Sequence, residues 1–137
     1  MNLRLALIAA TTAGLAVACA ASTAQEVRSP KAQKQLAEAL QGRVAGPPKS
    51  CIPNYRANEM TVIDDFTILF RDGRTVYVQN PRGGCRGLGI GGYTLVTRNY
   101  GSQLCDGQIN NLVDLRTGMM GPACVFSQFV PYTKPRS

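Results

Sequence analysis

The stretch TVIDDFTILFRDGRTVYV, Thr61 to Val78, decides the fold of this chain. Thr67-Ile68-Leu69-Phe70 and Thr75-Val76-Tyr77-Val78 are short runs rich in β-branched and aromatic residues. Between them stands Asp72-Gly73, a pair suited to the positive φ angles of a type I′ turn. With Asp72-Gly73 as the loop, Arg71 faces Arg74, Phe70 faces Thr75, Leu69 faces Val76 and Ile68 faces Tyr77. Apolar side chains then occupy both faces of the hairpin, which therefore needs cover on both sides.

Working outward, Thr61-Val62-Ile63 reads as a short strand that Asp64-Asp65 turns into Thr67–Arg71. Asn80-Pro81-Arg82-Gly83-Gly84 breaks the sheet, and a glycine-rich connection runs to Gly92. Tyr93 to Arg98 and Gln108 to Leu115 follow as strands, separated by the turn Asn99-Tyr100-Gly101-Ser102. In the second of these, Ile109, Val113 and Leu115 share one face while Leu112 and Asp114 take the other. Gly118 and Gly121-Pro122 enclose Met119-Met120 in a loop. Val125 to Val130 supplies a last strand that Pro131 stops. About six short strands with frequent turns predict a mainly β domain, a small antiparallel barrel or sandwich over residues 51–131 with a tail at 132–137.

On the N-terminal side, Ser29-Pro30 predicts a helix start, Ser29 as N-cap and Pro30 at N1. Ala32, Leu36, Ala39 and Leu40 fall on one face, and Gly42 is the expected stop. Such a short helix is marginal alone and must dock on the domain or serve as a stalk. Residues 44–50, with two prolines and a glycine, read as a linker. Residues 25–50 are thus expected to tether a domain that folds without them.

The 137 residues suffice for one domain. Arg4, the uncharged run Leu5–Val17 and Ser22-Thr23-Ala24 fit a signal peptide over residues 1–24. Its 13-residue apolar run is too short for a permanent span, so no transmembrane segment is expected in the mature form. Leu15-Ala16-Val17-Ala18-Cys19 resembles a lipobox. A periplasmic protein cleaved after Ala24 is the expected product, with lipid anchoring to the outer membrane through Cys19 as the alternative. Losing residues 1–24 removes Arg4 and no acid, which takes the net charge from +7 to +6. The excess lies in residues 25–50 and 131–137, a distribution drawn to anionic envelope surfaces.

The four remaining cysteines, Cys51, Cys85, Cys105 and Cys124, lack zinc-knuckle and C-x-x-C spacing and are read as two disulfides. Strand directions separate the three connectivities. If Tyr93–Arg98 runs up and Gln108–Leu115 down, Cys85 and Cys124 lie at one end and Cys105 at the other. The expected pairs are Cys85–Cys124 and Cys51–Cys105, each bridge closing a long loop worth about 4 kcal/mol.

The order of motifs is similar to a family of small exported bacterial proteins of unknown function. It comprises Leu40 to Pro48, Ser50 to Ile52, Val62 to Phe70, Asp72 to Val78, Cys85 to Leu88, Leu104-Cys105 and Gly121 to Pro131. The resemblance implies an envelope location and carries no catalytic residue.

The chain contains no histidine, which removes Ser-His-Asp, Cys-His and histidine–metal chemistry. Asp64 and Asp65, with Asp72, Asp106 or Asp114, could supply an acid and a base, although adjacent strand residues point to opposite faces. Gly87-Leu88-Gly89-Ile90-Gly91-Gly92 matches G-x-G-x-x-G but precedes a strand, so it reads as a connection. Tyr55, Tyr77, Tyr93 and Tyr100 with Arg56, Arg82, Arg86 and Arg98 could build a stacking face; the compartment argues against nucleic acid. The resulting expectation is a non-catalytic binding or structural protein without cofactor or metal, partnered by an anionic surface or another envelope protein. The alternative is an envelope hydrolase using aspartates.

Overall fold

Four consecutive residues of the central hairpin, Thr67 to Phe70, are buried, and so are Val76 to Gln79 opposite them. A strand pair with no wet face must sit in the middle of a stack, and it does. The computed structural model describes residues 28–53, 59–98 and 101–136. In chain order these form helix α1 (Pro30–Leu40) and strands β1 (Val44–Ala45), β2 (Cys51–Pro53), β3 (Met60–Asp64), β4 (Thr67–Asp72) and β5 (Thr75–Gln79). Strands β6 (Tyr93–Thr97), β7 (Gln103–Cys105), β8 (Ile109–Asp114), β9 (Met120–Val125) and β10 (Phe129–Thr133) follow. They make a five-stranded sheet β1-β10-β5-β4-β3, a pair β2-β7 and a three-stranded sheet β6-β8-β9. All pairings are antiparallel. The architecture is an open sandwich, not a closed barrel.

One face of the large sheet meets the smaller sheets. Ile68, Phe70 and Tyr77 pack there with Ile52, Leu88, Leu104, Leu112, Phe126 and Phe129. At its centre the rings of Phe70, Phe126 and Phe129 meet edge to face, with centroids 5.7 to 6.0 Å apart, an arrangement worth about 0.5–1.5 kcal/mol per pair beyond area burial. The other face meets α1: Ala32, Leu36, Ala39 and Leu40 cover Ile63, Leu69, Val76 and Val78. Ser29 caps α1, its Oγ accepting the Ala32 N–H at 3.2 Å, and Gly42 ends it with φ of +69°.

The hairpin register differs from expectation. Asp72 pairs with Thr75, Phe70 with Tyr77 and Leu69 with Val78, so the loop is Gly73-Arg74. A type I′ loop at Asp72-Gly73 needs a positive φ at Asp72 as well. With Gly73 first, at φ +57°, glycine alone carries it among the loop residues, the sign pattern of type II′. Each cross-strand partner moves by two residues, so every side chain keeps its face.

The expected linker is part of the sheet. Val44 and Ala45 pair with Thr133 and Tyr132, and Lys49 and Phe129 exchange two backbone hydrogen bonds of 2.8 Å. Pro47 and Pro48 are tolerable because this is an edge, and they deny that edge the donors another chain would need. Pro131 does not stop the last strand: its C=O accepts the Gly46 N–H, so its donorless nitrogen also faces the edge side and removes no bond to β5. Tyr132 and Thr133 continue β10, so the expected tail begins later. Strands β1, β2 and β7 are two or three residues long, too short to leave a periodic signal, and the expected strand Val125–Val130 is the end of β9 and the start of β10. The expected turn at 99–102 falls partly outside the described residues.

Both bridges form as strand direction suggested. Cys51 and Cys105 are register partners across β2 and β7. Cys85 and Cys124 tie the connection after β5 to β9. Where the chain leaves β9 for β10, the Gln79 amide replaces a strand: its Nε2 donates to Ser127 O and its Oε1 accepts the Ser127 N–H, each at 2.8 Å.

A chain beginning at Ser50 loses α1 and β1 and exposes Leu69, Val76 and Val78, about 1.5–3 kcal/mol for each against a total stability of about 5–15 kcal/mol. It is expected to lose most of its resistance to urea. A truncated chain that unfolds at the full-length midpoint would restore the tether reading.

Candidate functional site

Asp64 and Asp65 occupy the β3–β4 turn, and the structure sends their carboxylates to different partners. Asp64 Oδ1 accepts the Phe66 N–H at 2.8 Å, closing the turn. Its Oδ2 accepts from Arg28 Nε at 2.7 Å. Arg28 Nη2 also donates to Thr67 Oγ1, which in turn donates to Asn80 Oδ1 at 3.1 Å. This chain of bonds fastens the start of α1 to β4 and to the end of β5.

Asp65 reaches the glycine-rich connection. Its Oδ1 accepts the Gly89 N–H at 2.7 Å and its Oδ2 the Gly87 N–H at 3.1 Å, while its backbone O accepts the Cys85 N–H at 2.6 Å. The amides that a dinucleotide fingerprint would offer to phosphate are thus held by the protein's own carboxylate, and β6 follows where such a fingerprint needs a helix. Gly89 is required by the close approach: a Cβ there would stand 2.9 to 3.0 Å from the backbone of Asp64 and Asp65.

Between α1 and this corner lies an open cavity of about 460 Å³, lined among others by Arg28, Lys31, Gln35, Asp64, Phe66 and Ile90. Its two carboxylates are engaged by Arg28 and the Phe66 amide at Asp64 and by the Gly87 and Gly89 amides at Asp65, so they hold the corner together and are not aimed at each other as an acid–base pair.

The remaining acids are dispersed. Asp106 pairs with Arg82 across 2.5 Å. Asp114 Oδ1 accepts the Arg116 and Thr117 N–H groups, each at 2.8 Å, in the β8–β9 turn. The Thr117 amide and then the Arg116 amide hold its carboxyl below the usual aspartate range. Asp72 ends β4 at the hairpin loop. The tyrosine and arginine set is not gathered on one face: Tyr77 lies in the core with the Lys49 ammonium 6.0 Å from its ring, Tyr93 packs on the sites of Gly87 and Gly121, and Arg86 and Arg98 are exposed. Tyr55, Arg56 and Tyr100 lie outside the described residues. Among the described residues no group of three metal-ligating side chains lies together.

What sequence reasoning missed is the outer face of the β6-β8-β9 sheet. Leu112 and Asn110 point inward and are fully buried, so the face shared by Ile109, Val113 and Leu115 points away from the core. Val96 pairs with Asn111 beside it, and Val125 and Met120 stand opposite Ile109 and Val113. The strand residues on this face, Thr94, Val96, Ile109, Asn111, Val113, Met120, Ala123 and Val125, include no charge. The available signal was Met119-Met120, two large apolar residues at the end of the turn and the start of β9 with no core position to fill. No family model, no curated protein and no solved structure matches this chain.

Two outcomes test this geometry. Asp65→Ala strands two loop amides and is expected to cost about 1–3 kcal/mol, with amide exchange accelerating at Gly87 and Gly89 while β4 and β5 stay protected. The depressed Asp114 pKa contributes stability that is complete above about pH 4 and lost as pH falls through the folded-state value. Amide exchange at Arg116 and Thr117 is expected to rise over that acidic window, and to lose its pH step in Asp114→Asn.

Proposed function

We propose that the protein is an exported, non-catalytic binding protein of the bacterial envelope, and that it binds through the outer face and turns of the β6-β8-β9 sheet. The observation that carries this reading is a broad, uncharged and solvent-facing sheet surface, backed by the Cys85–Cys124 bridge and a buried core. Neighbouring apolar side chains left exposed, Val96 at 40%, Ile109 at 65% and Met120 at 65%, mark an interaction surface in a folded domain. Rigid support from behind lets such a surface bind without an ordering cost.

Export is supported by the two bridges, which persist in oxidising compartments, and by the signal-like residues 1–24. The resemblance to exported proteins of unknown function points the same way. The envelope address is periplasmic, with attachment through Cys19 as the second route. The aspartate hydrolase finds no matching geometry: Asp64, Asp65, Asp106 and Asp114 each serve a turn, a loop or an arginine.

Non-reducing peptide mapping of protein taken from its native compartment is expected to recover Cys51–Cys105 and Cys85–Cys124 peptides, with the mature N-terminus at Gln25. Val96→Ser with Met120→Ser should release the protein from the envelope fraction, whereas Asp106→Asn should not. Four free thiols, or the opposite ranking of variants, would overturn the reading.

A further inference from the structure

We infer that one end of this sheet docks on anionic lipid bilayers, with Ile90, Leu115, Met119 and Met120 entering the headgroup region. The inference rests on the envelope-binding reading and names the occupant of its surface.

Seven large apolar side chains are exposed among the described residues, and these four lie at adjoining turns, between 64 and 84% exposed. The turns are joined through their backbones. Leu115 N–H donates to Gly92 O, two residues after Ile90, and Asp114 N–H donates to Met119 O. Met120 stands opposite Val113 on β9. The tips project: a Cβ built at Gly91, Gly92 or Gly118 meets nothing within 4 Å. Projecting apolar tips suit a fluid interface, which closes around them, better than a flat protein partner, which would need matching pits.

The charges at this end agree. Arg116 follows Leu115, Arg86 lies in the loop leading to Ile90, and Lys31 lines the same cavity as Ile90. Of the acids nearby, Asp64 bonds Arg28 and Asp65 the Gly87 and Gly89 amides, while Asp114 is held by the Arg116 and Thr117 amides of its own exposed turn. The chain without residues 1–24 carries +6. Apolar tips with Arg116, Arg86 and Lys31 on adjoining segments of a basic protein are complementary to anionic headgroups, whereas a second copy would meet like charge.

The path of the chain agrees as well. Arg28 lines the cavity that Ile90 borders. Cys19 lies nine residues before Arg28, a reach of at most about 30 Å. A lipid on Cys19 would hold these tips against the bilayer, and without that lipid the tips and cations alone supply a weaker, salt-sensitive attachment.

The test uses the full chain carrying Cys19→Ser, exported, processed and oxidised, so that no acyl chain contributes. It is expected to sediment with vesicles of phosphatidylcholine and phosphatidylglycerol, to sediment poorly with phosphatidylcholine alone, and to be released by high salt. Met119→Ser with Met120→Ser should lower partitioning about tenfold, and Arg116→Gln about fivefold. Val44→Ser, on edge strand β1 of the larger sheet and 64% exposed, should leave it unchanged. Three results would overturn the inference: no binding to the anionic vesicles, an equal loss in Val44→Ser, or a dimer in sedimentation velocity that the methionine pair dissolves while vesicles go unbound. A vesicle failure with both native bridges intact removes this inference and leaves the envelope-binding reading standing. Free thiols in the native compartment remove both.

Discussion

The central strand pair has no polar face, and the architecture follows from covering it twice. Ile68, Phe70 and Tyr77 face one way and Leu69, Val76 and Val78 the other. A single sheet cannot bury both, so α1 closes one side and the two smaller sheets the other. This requirement turns the N-terminal segment from an appendage into a wall of the domain. It also explains why the stack ends where it does: the β6-β8-β9 sheet buries its inner face on the phenylalanine cluster, and nothing in the described chain lies beyond its outer face.

Much of this was legible before the structure. The N-cap Ser29, the α1 face, the hairpin, the Asp64-Asp65 turn and the cysteine pairing all rest on local rules or on strand direction. What escaped was set by tertiary context. Residues 44–49 look like a linker because prolines abolish donors, yet an edge beside β10 asks for few. Pro131 looks like a terminator, but its nitrogen faces that same edge. The hairpin slipped because glycine took the loop position that alone needed its freedom. Periodicity correctly grouped Ile109, Val113 and Leu115, but it has no sign: it cannot say which face is inward. Here the larger apolar face is the wet one, and Leu112 alone anchors the dry one.

The acidic residues show how a suggestive motif can be consumed by the fold. Asp65 fills the amide cluster of a glycine-rich loop that would otherwise offer itself to an external anion, and by doing so it fixes the connection between the two layers. Asp64 performs the equivalent task for α1 through Arg28. The local chemistry is real, and it is directed inward. An apolar face remains exposed on the β6-β8-β9 sheet, and the binding proposal rests on that face.

The bridges also carry a consequence for biogenesis. Along the chain the cysteines run Cys51, Cys85, Cys105, Cys124, and the two bonds interleave. A polypeptide threaded N-terminus first through a translocation pore presents Cys51 and Cys85 long before their true mates. An oxidase that joined thiols in order of emergence would make Cys51–Cys85 and Cys105–Cys124, neither of them native. For a chain exported as proposed, maturation therefore requires that oxidation wait until β2 meets β7, or that an isomerase exchange the first bonds made.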